Sequence, residues 1–271
     1  MQIKVISIID SERSLSVVER LCSLGFSPNL MPATDFREKE LTDLRDVFDI
    51  EIFQDRYGRL PTAGEIGCTL SHLSAMRSFN VNDLSRGGVV FEDDAMPRQT
   101  SIIFENIYEE ILLSPFDIIV LGYSKADDNT EAYFDIVNPF LPVFKTAVGP
   151  YNVGVRYQRS TSGAVGYVVK NSSQSILSRI EKPSYLADDW DYYSSLGLSI
   201  GYLKPTLVRE DTLGLKSTLG HDIGYITPRH HDVQFIHYLL IFRRKLIGLY
   251  RRCIMRLMFT LKISKYHSSI K

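Results

Sequence analysis

The amino-acid sequence predicts one α/β domain followed by a basic helical tail. Residues 3–9 form a nearly continuous apolar, β-branched run, which is typical of a strand buried on both faces. A helical segment and a second short apolar segment follow, giving the strand–helix–strand opening of α/β proteins. Helical and apolar segments keep alternating up to about residue 210, and a length of 271 residues suits one such domain.

The predicted elements begin and end at recognisable signals. Ser11 or Ser14 is expected to cap the first helix, which runs to about Leu24 and stops at Gly25. The further predicted elements are strands at 29–32, 89–91, 116–121 and 162–169, and helices at 65–80, 101–113 and 171–180. Residues 123–142 are polar at first and irregular, so we expect an excursion or a lid there.

Composition and cysteine usage indicate a globular protein in a reducing compartment. Three widely spaced cysteines, Cys22, Cys68 and Cys253, fit neither a disulfide framework nor a zinc cluster. The opening strand leaves no room for a signal peptide, and no apolar run approaches the roughly 18 residues needed to span a bilayer. A cytosolic protein is therefore expected.

The net charge of −1 hides a strong asymmetry between body and tail. Residues 233–271 contain nine Lys or Arg and no acid, whereas residues 1–232 carry an excess of ten acids. Apolar residues recur in the tail at three- and four-residue intervals: Leu239, Phe242, Leu246, Leu249, Cys253 and Leu257. This pattern favours a basic amphipathic helix on an anionic membrane over nucleic acid binding. The alternative is a helix docked on the body.

The most informative stretch is 89–94, where three apolar residues are followed by Glu92, Asp93 and Asp94. Three acids at a strand end are unfavourable unless a positive charge lies there. Their oxygens suit Mg²⁺ or Mn²⁺ rather than zinc. The alternative is a solvated acidic turn.

A second acidic cluster, Asp188, Asp189 and Asp191, lies about a hundred residues further on. An enzyme that transfers a sugar from a nucleotide needs one carboxylate group for the ion and another to take the acceptor proton. Asp189 has a competing explanation, because it can cap the helix that starts near Trp190.

Other residues are weaker candidates when taken alone. Ser71 and His72 lie in a helix whose start favours anions, although a lone helix histidine is more often packed and hydrogen-bonded. Arg13 follows the first strand, where an α/β sheet usually presents its crevice. His221 could complete a metal site, but no spacing requires it.

These motifs, in this order, resemble glycosyltransferase family 25, the lipooligosaccharide transferases related to collagen galactosyltransferases. The resemblance covers roughly residues 1–210 and is carried by residues 11–13, 31–35, 64–72, 89–94, 118–122, 162–167 and 188–191. The 64–72 block followed by the acidic triplet is the most specific part. Ser7 departs from the family, which usually has asparagine there.

The resemblance implies a GT-A-type, single Rossmann-like domain with a mixed central sheet, a Mn²⁺ or Mg²⁺ ion, and inversion at the sugar. It implies a UDP-sugar donor, usually UDP-galactose, and a lipooligosaccharide or glycolipid acceptor at the cytoplasmic face of the inner membrane. The alternatives are a glucosyltransferase, a nucleotide-sugar hydrolase, and an inactive glycan-binding or membrane scaffold.

Site residues follow from matching motifs. The metal motif is Glu92, Asp93 and Asp94, with His221 as a further candidate ligand, and the second acidic site offers Asp188 and Asp191 equally as the base. The expected donor-binding residues are Arg13, Ala33, Thr34, Asp35, Ser71, His72, Asp93 and Gly122.

Overall fold

The computed structural model describes residues 1–79, 86–123, 140–156 and 163–211, together with helical residues 246, 249, 250 and 253. The strands are β1 (Gln2–Ser7), β2 (Asn29–Pro32), β3 (Gly87–Glu92), β4 (Ala95–Pro97), β5 (Ile118–Val120), β6 (Phe140–Val148), β7 (Tyr151–Arg156), β8 (Gly166–Lys170), β9 (Ile200–Lys204) and β10 (Val208–Glu210). The helices are α1 (Glu12–Ser23), α2 (Ile50–Tyr57), α3 (Ala63–Arg77), α4 (Ser101–Leu112), α5 (Gln174–Leu177) and α6 (Trp190–Ser195).

A mixed sheet forms the centre of the domain, with strand order β2-β1-β3-β8-β5-β9-β7-β6. The pairs β1–β2, β1–β3 and β5–β9 are parallel, whereas β8 runs antiparallel between β3 and β5. Strands β1, β3, β5 and β9 therefore end at one edge of the sheet, and β8 begins there. A separate two-stranded sheet pairs β4 with β10.

Helices cover both faces of the sheet, and each face has its own apolar core. Along β3, Val89 and Phe91 pack into one cluster with residues of α1 and α4, whereas Val90 packs into the other with α3 and α6. Side chains of a strand alternate between faces, so a strand covered on both sides is apolar throughout. In β1, predicted to be such a strand over residues 3–9, Ile3 and Val5 pack on one face and Ile6 on the other, but the strand ends at Ser7 and Ile9 is exposed.

Local signals fix the helix starts. Ser11 caps α1 by accepting a 3.1 Å hydrogen bond from the Ser14 backbone N–H. Of the two predicted capping residues, Ser11 and Ser14, it is thus Ser11 that caps the helix. Thr62 and Glu65 form a reciprocal capping box at the start of α3. Because α3 begins at Ala63, Ser71 lies more than two turns inside the helix, where backbone N–H groups are already used.

Other boundaries differ from the predictions. The segment predicted as a helix at 171–180 is a short 3₁₀ turn followed by α5. Helix α2 and the β6–β7 hairpin had no predicted counterpart, and residues 124–139 of the expected lid lie outside the described part. Within the described residues, no helix combines the length and apolarity needed to cross a bilayer.

Candidate functional site

The ends of β1 and β3 lie side by side and place the acidic triplet at the edge where the parallel strands end. Arg13, in the first turn of α1, contacts two of the three acids. One of its guanidinium nitrogens lies 2.9 Å from Asp93 Oδ1 and 2.7 Å from Asp94 Oδ2. The positive charge that three adjacent acids require is thus supplied by Arg13.

Ser7, the last residue of β1, fixes Asp93 from the neighbouring strand. Its hydroxyl donates a 2.9 Å hydrogen bond to Asp93 Oδ2. Burial raises the pKa of Asp93, while Arg13 and the Ser7 hydroxyl act to lower it. The serine that departs from the family pattern therefore helps to hold one of the acids in its charged form.

Asp94 is the most perturbed carboxyl of the triplet. Burial raises its pKa to about 7, the charge of Glu92 adds to the shift, and Arg13 opposes it. Asp94 Oδ1 is buried, and no partner among the described residues hydrogen-bonds to it. A carboxylate oxygen left without a partner beside another acid fits a hard divalent ion, which takes oxygen ligands.

The antiparallel pairing of β4 with β10 brings further acids to this edge. Glu210 lies opposite Ala95 in the strand pair. The Asp211 backbone N–H donates a 2.8 Å hydrogen bond to the Asp94 carbonyl oxygen. The charge of Glu210 contributes to the raised pKa of Asp94. Sequence reasoning missed Glu210, because only the pairing of two short strands far apart in sequence places it here.

Glu92 turns towards α3 rather than towards Arg13. Its Oε1 lies 3.1 Å from His72 Nε2, and His72 Nδ1 lies 2.8 Å from the Tyr167 hydroxyl. Burial lowers the pKa of His72, but the adjoining Tyr167, Cys68 and Glu92 groups outweigh it and hold this pKa well above its ordinary value. His72 is fully buried, so its packed, hydrogen-bonded setting matches the alternative weighed for it.

The loop after β2 is held by α3. The Ser71 hydroxyl accepts a 2.8 Å hydrogen bond from the Thr34 backbone N–H and donates a 2.7 Å hydrogen bond to the Gly67 carbonyl oxygen. A Cβ on Gly67 would lie 2.3 Å from the Thr34 carbonyl oxygen, so only glycine permits this approach. Ser71 and the 33–35 segment, predicted separately as donor-binding, are therefore brought together.

Asp188 lies near the triplet. Its Oδ2 accepts a 2.6 Å hydrogen bond from the Gly163 backbone N–H, next to the start of β8. Burial raises the pKa of Asp188, the Gly163 hydrogen bond opposes this, and the charge of Glu92 adds to it. The two acidic clusters, distant in sequence, therefore influence each other electrostatically.

Asp189 has a different role from its neighbour. It caps α6 by accepting a 2.9 Å hydrogen bond from the Tyr192 backbone N–H, and it pairs with Arg56 at 2.7 Å. Burial acts to raise the pKa of Asp189, but hydrogen bonds from Arg56 and Tyr57 outweigh burial and lower it. The helix-capping explanation for Asp189 is confirmed, while Asp191 lies in the first turn of the same helix.

Comparison with known protein families identifies the family of the chain. The family model described as "Glycosyltransferase family 25 (LPS biosynthesis protein)" matches residues 1–190. The chain belongs to glycosyltransferase family 25. The resemblance stated from the motifs is thereby confirmed, and the family is one of transferases in lipopolysaccharide biosynthesis.

Other comparisons add little to this family 25 assignment. No curated protein sequence matches the chain. A solved structure titled "Crystal Structure of A197 from STIV" is similar, at 11% identity over 77% of this chain and 83% of that one. Its TM-score of 0.33 is too low to support any argument.

The remaining predicted residues of this family 25 transferase take varied positions. Asp35 pairs with Arg37, with 2.8 Å between the Arg37 Nε and Asp35 Oδ1. A Cβ on Gly122 would lie 2.2 Å from the Val208 carbonyl oxygen, so this glycine allows a backbone approach beside β10. His221 lies outside the described residues.

Proposed function

We propose that the chain is an inverting, GT-A-type hexosyltransferase that moves galactose from UDP-galactose to a hydroxyl of a lipooligosaccharide or related surface glycan. The proposal is carried by Asp93 and Asp94, which share Arg13 at the strand ends, and by Asp188, on which the charge of the adjoining Glu92 acts, in a chain of family 25. Two carboxylate functions close together are what the reaction needs.

Asp93 and Asp94 would hold the Mn²⁺ or Mg²⁺ ion, which supplies positive charge to the departing diphosphate. Arg13 orients both carboxylates in the protein without the ion and lies where it can face donor phosphate. Ser71 holds the loop at Thr34, next to the expected nucleotide site. These residues bind and orient the donor; they do not react with it.

Asp188 is the proposed base. The acceptor oxygen forms a bond to the anomeric carbon as the bond from that carbon to the diphosphate oxygen breaks. The bonding electrons leave with UDP, and the acceptor proton goes to the Asp188 carboxylate. Burial raises the pKa of Asp188, which makes it a better proton acceptor than an exposed aspartate.

The test is UDP release by the full-length protein with a panel of UDP-sugars, Mn²⁺ and a lipooligosaccharide acceptor. Release that depends on acceptor and on UDP-galactose supports the proposal. Acceptor-independent release indicates a hydrolase, and binding without release indicates a scaffold. If Asp94→Ala protein in EDTA matched wild type with Mn²⁺, the metal assignment would be wrong.

We further propose that the tail holds the enzyme on the cytoplasmic face of an anionic membrane. Leu246, Leu249 and Tyr250 are helical and 50%, 58% and 66% exposed, and Cys253 is exposed on the same side of the helix. A helix docked on the body would bury such residues. Five arginines between 243 and 256 supply the attraction to anionic lipid.

Sedimentation with vesicles tests the tail. Full-length protein should sediment with anionic vesicles and not with zwitterionic ones, while a 1–235 truncation should stay in solution. A Leu246→Glu/Leu249→Glu variant keeps the arginines and should lose binding through its apolar face alone. Equal binding of full-length and truncated protein would contradict the proposal.

A further inference from the structure

Three side chains with different ligand chemistry meet between α3 and the end of β3. Cys68 and His72 lie four residues apart on one face of α3, and Glu92 ends β3. One ligand atom from each lies within 4.8 Å of the others. Cys68, His72 and Glu92 have no direct role in the proposed sugar transfer, although the charge of Glu92 acts on Asp94 and Asp188.

Its geometry is near that of a bound ion. His72 Nε2 lies 3.1 Å from Glu92 Oε1. Nitrogen and oxygen ligands of a tetrahedral zinc ion lie about 3.4 Å apart, as follows from bond lengths near 2.1 Å, so only a small outward shift is needed to admit an ion. The Cys68 sulfur lies within 4.8 Å of the other two ligand atoms.

The histidine is already oriented for ligation. With Nε2 facing Glu92, Nδ1 lies 2.8 Å from the hydroxyl of the buried Tyr167. A metal-bound histidine usually donates its other ring N–H to an oxygen partner that fixes its tautomer and direction. Tyr167 supplies that oxygen here.

Access and charge also suit a divalent cation. Cys68 is partly exposed and the Glu92 side chain is 26% exposed, so an ion can enter without unfolding the buried His72. The arriving ion displaces the protons of the Cys68 thiol and of His72 Nε2. The resulting thiolate, carboxylate and neutral imidazole carry two negative charges in all, which match one divalent ion. Three protein ligands leave a fourth position for water.

We propose that Cys68, His72 and Glu92 form a second metal site, which takes a zinc-type divalent ion and is separate from the oxygen pair Asp93 and Asp94. Sulfur and nitrogen ligands select Zn²⁺ or Co²⁺ over the Mg²⁺ and Mn²⁺ that suit carboxylates alone. The bound ion ties α3 to β3 and so stabilises the fold. The proposal does not depend on the sugar-transfer reaction.

Cobalt titration of the full-length protein tests the site, because a thiolate ligand gives Co²⁺ a charge-transfer absorption in the near ultraviolet. We expect one equivalent of Co²⁺ to produce this band, and Zn²⁺ to remove it by displacement. Cys68→Ser should abolish the band, whereas the matched controls Cys22→Ser and Cys253→Ser should keep it. A band that is absent in wild type, or that is lost with either control, would overturn the proposal.

Two further variants separate this site from the oxygen pair and from simple unfolding. Asp94→Asn should keep the cobalt band, and Tyr167→Phe should keep it with about tenfold weaker affinity. Zn²⁺ should raise the melting temperature of wild type but not of folded Cys68→Ser protein, with folding checked by circular dichroism. None of these readouts includes sugar transfer, so their failure would leave the transferase proposal standing.

Discussion

The hydroxyl of Ser7 at the end of β1 donates a 2.9 Å hydrogen bond to Asp93 Oδ2 at the end of β3. This bond joins two parallel strands at the point where both leave the sheet. It also opposes the effect of burial, which raises the pKa of Asp93. A single hydroxyl thus influences both the position and the charge of a proposed metal ligand.

Replacing Ser7 by alanine should therefore weaken the response to Mn²⁺. Without the hydroxyl, Asp93 Oδ2 loses the hydrogen bond that positions it and one of the contacts that lower the pKa of Asp93. We expect a severalfold higher Mn²⁺ concentration for half-maximal UDP release at pH 7, with the rate at saturating Mn²⁺ less affected. Ser23→Ala, which removes an exposed hydroxyl from the end of α1, is the control. An unchanged Mn²⁺ response would contradict the role given to Ser7.

Stability should depend on pH through Asp94. Its pKa is about 7 in the folded protein, above its ordinary value of 3.8, so the folded state holds the proton more tightly than the unfolded chain. This stabilising contribution is complete below about pH 4 and is lost as the pH rises through 7. Asparagine cannot ionise, so the Asp94→Asn variant escapes this loss. In EDTA, its free energy of unfolding should rise by roughly 1–2 kcal/mol relative to that of wild type as the pH goes from 4 to 8, measured by urea unfolding. The exposed control Asp55→Asn should show no such trend.

The two neighbouring acids Asp188 and Asp189 should fail in different ways. Asp188→Asn should lower kcat roughly a hundredfold or more while UDP-sugar binding persists, because it removes the proposed base. Asp189→Asn should instead lower the free energy of unfolding by about 1–2 kcal/mol, because it weakens the helix cap and the pair with Arg56. The Asp191→Asn variant distinguishes between Asp188 and Asp191, which the sequence offered equally as the base. If it, rather than Asp188→Asn, lost kcat with binding intact, Asp191 would be the base.

Removing Arg13 should expose the repulsion within the triplet. Arg13→Ala leaves Asp93 and Asp94 without their shared counter-charge. In EDTA, the free energy of unfolding should therefore fall by about 2 kcal/mol. Added Mn²⁺ should restore part of it, as followed by thermal unfolding. Arg86→Ala removes an exposed pair with Glu109 and should change stability by less than about 0.5 kcal/mol. Absence of rescue by Mn²⁺ would argue against an ion at the pair.

Gly67 should tolerate no side chain. In a helix interior, glycine to alanine ordinarily stabilises by about 1 kcal/mol. Here the new Cβ would lie 2.3 Å from the Thr34 carbonyl oxygen, and the backbone would have to shift. We expect Gly67→Ala to be destabilised by about 1–3 kcal/mol in urea. Ser74→Ala, on the exposed side of α3, should be neutral or slightly stabilising.

The sequence predicted the parts of the fold that local signals determine. The apolar run of β1, the Ser11 cap and the abrupt change from Phe91 to Glu92 each carry their own signal. The predicted strands and helix are present, although β1 ends at Ser7 rather than at residue 9 and β3 begins at Gly87 rather than at residue 89. Helix α2 has eight residues and weak periodicity, and β6 contains Pro142, so neither showed a clear pattern. Tertiary contacts, not local preference, fix such elements.

The site was predictable in composition but not in orientation. The four-residue spacing of Cys68 and His72 is visible in the sequence, yet its meeting with Glu92 depends on how α3 docks against β3. Whether Glu92 faces His72 or Arg13 is likewise a matter of packing. The position of Glu210 beside Asp94 needed the pairing of β4 with β10.

The guanidinium of Arg13 between Asp93 and Asp94 has a consequence for the order of maturation. Because the acids already have a counter-charge, the nascent chain can reach its compact form before any ion arrives. Under the proposed metal dependence, loading would follow as a late and reversible step. A cell short of the ion would then hold a reserve of folded but idle enzyme, ready to respond as soon as the supply returned.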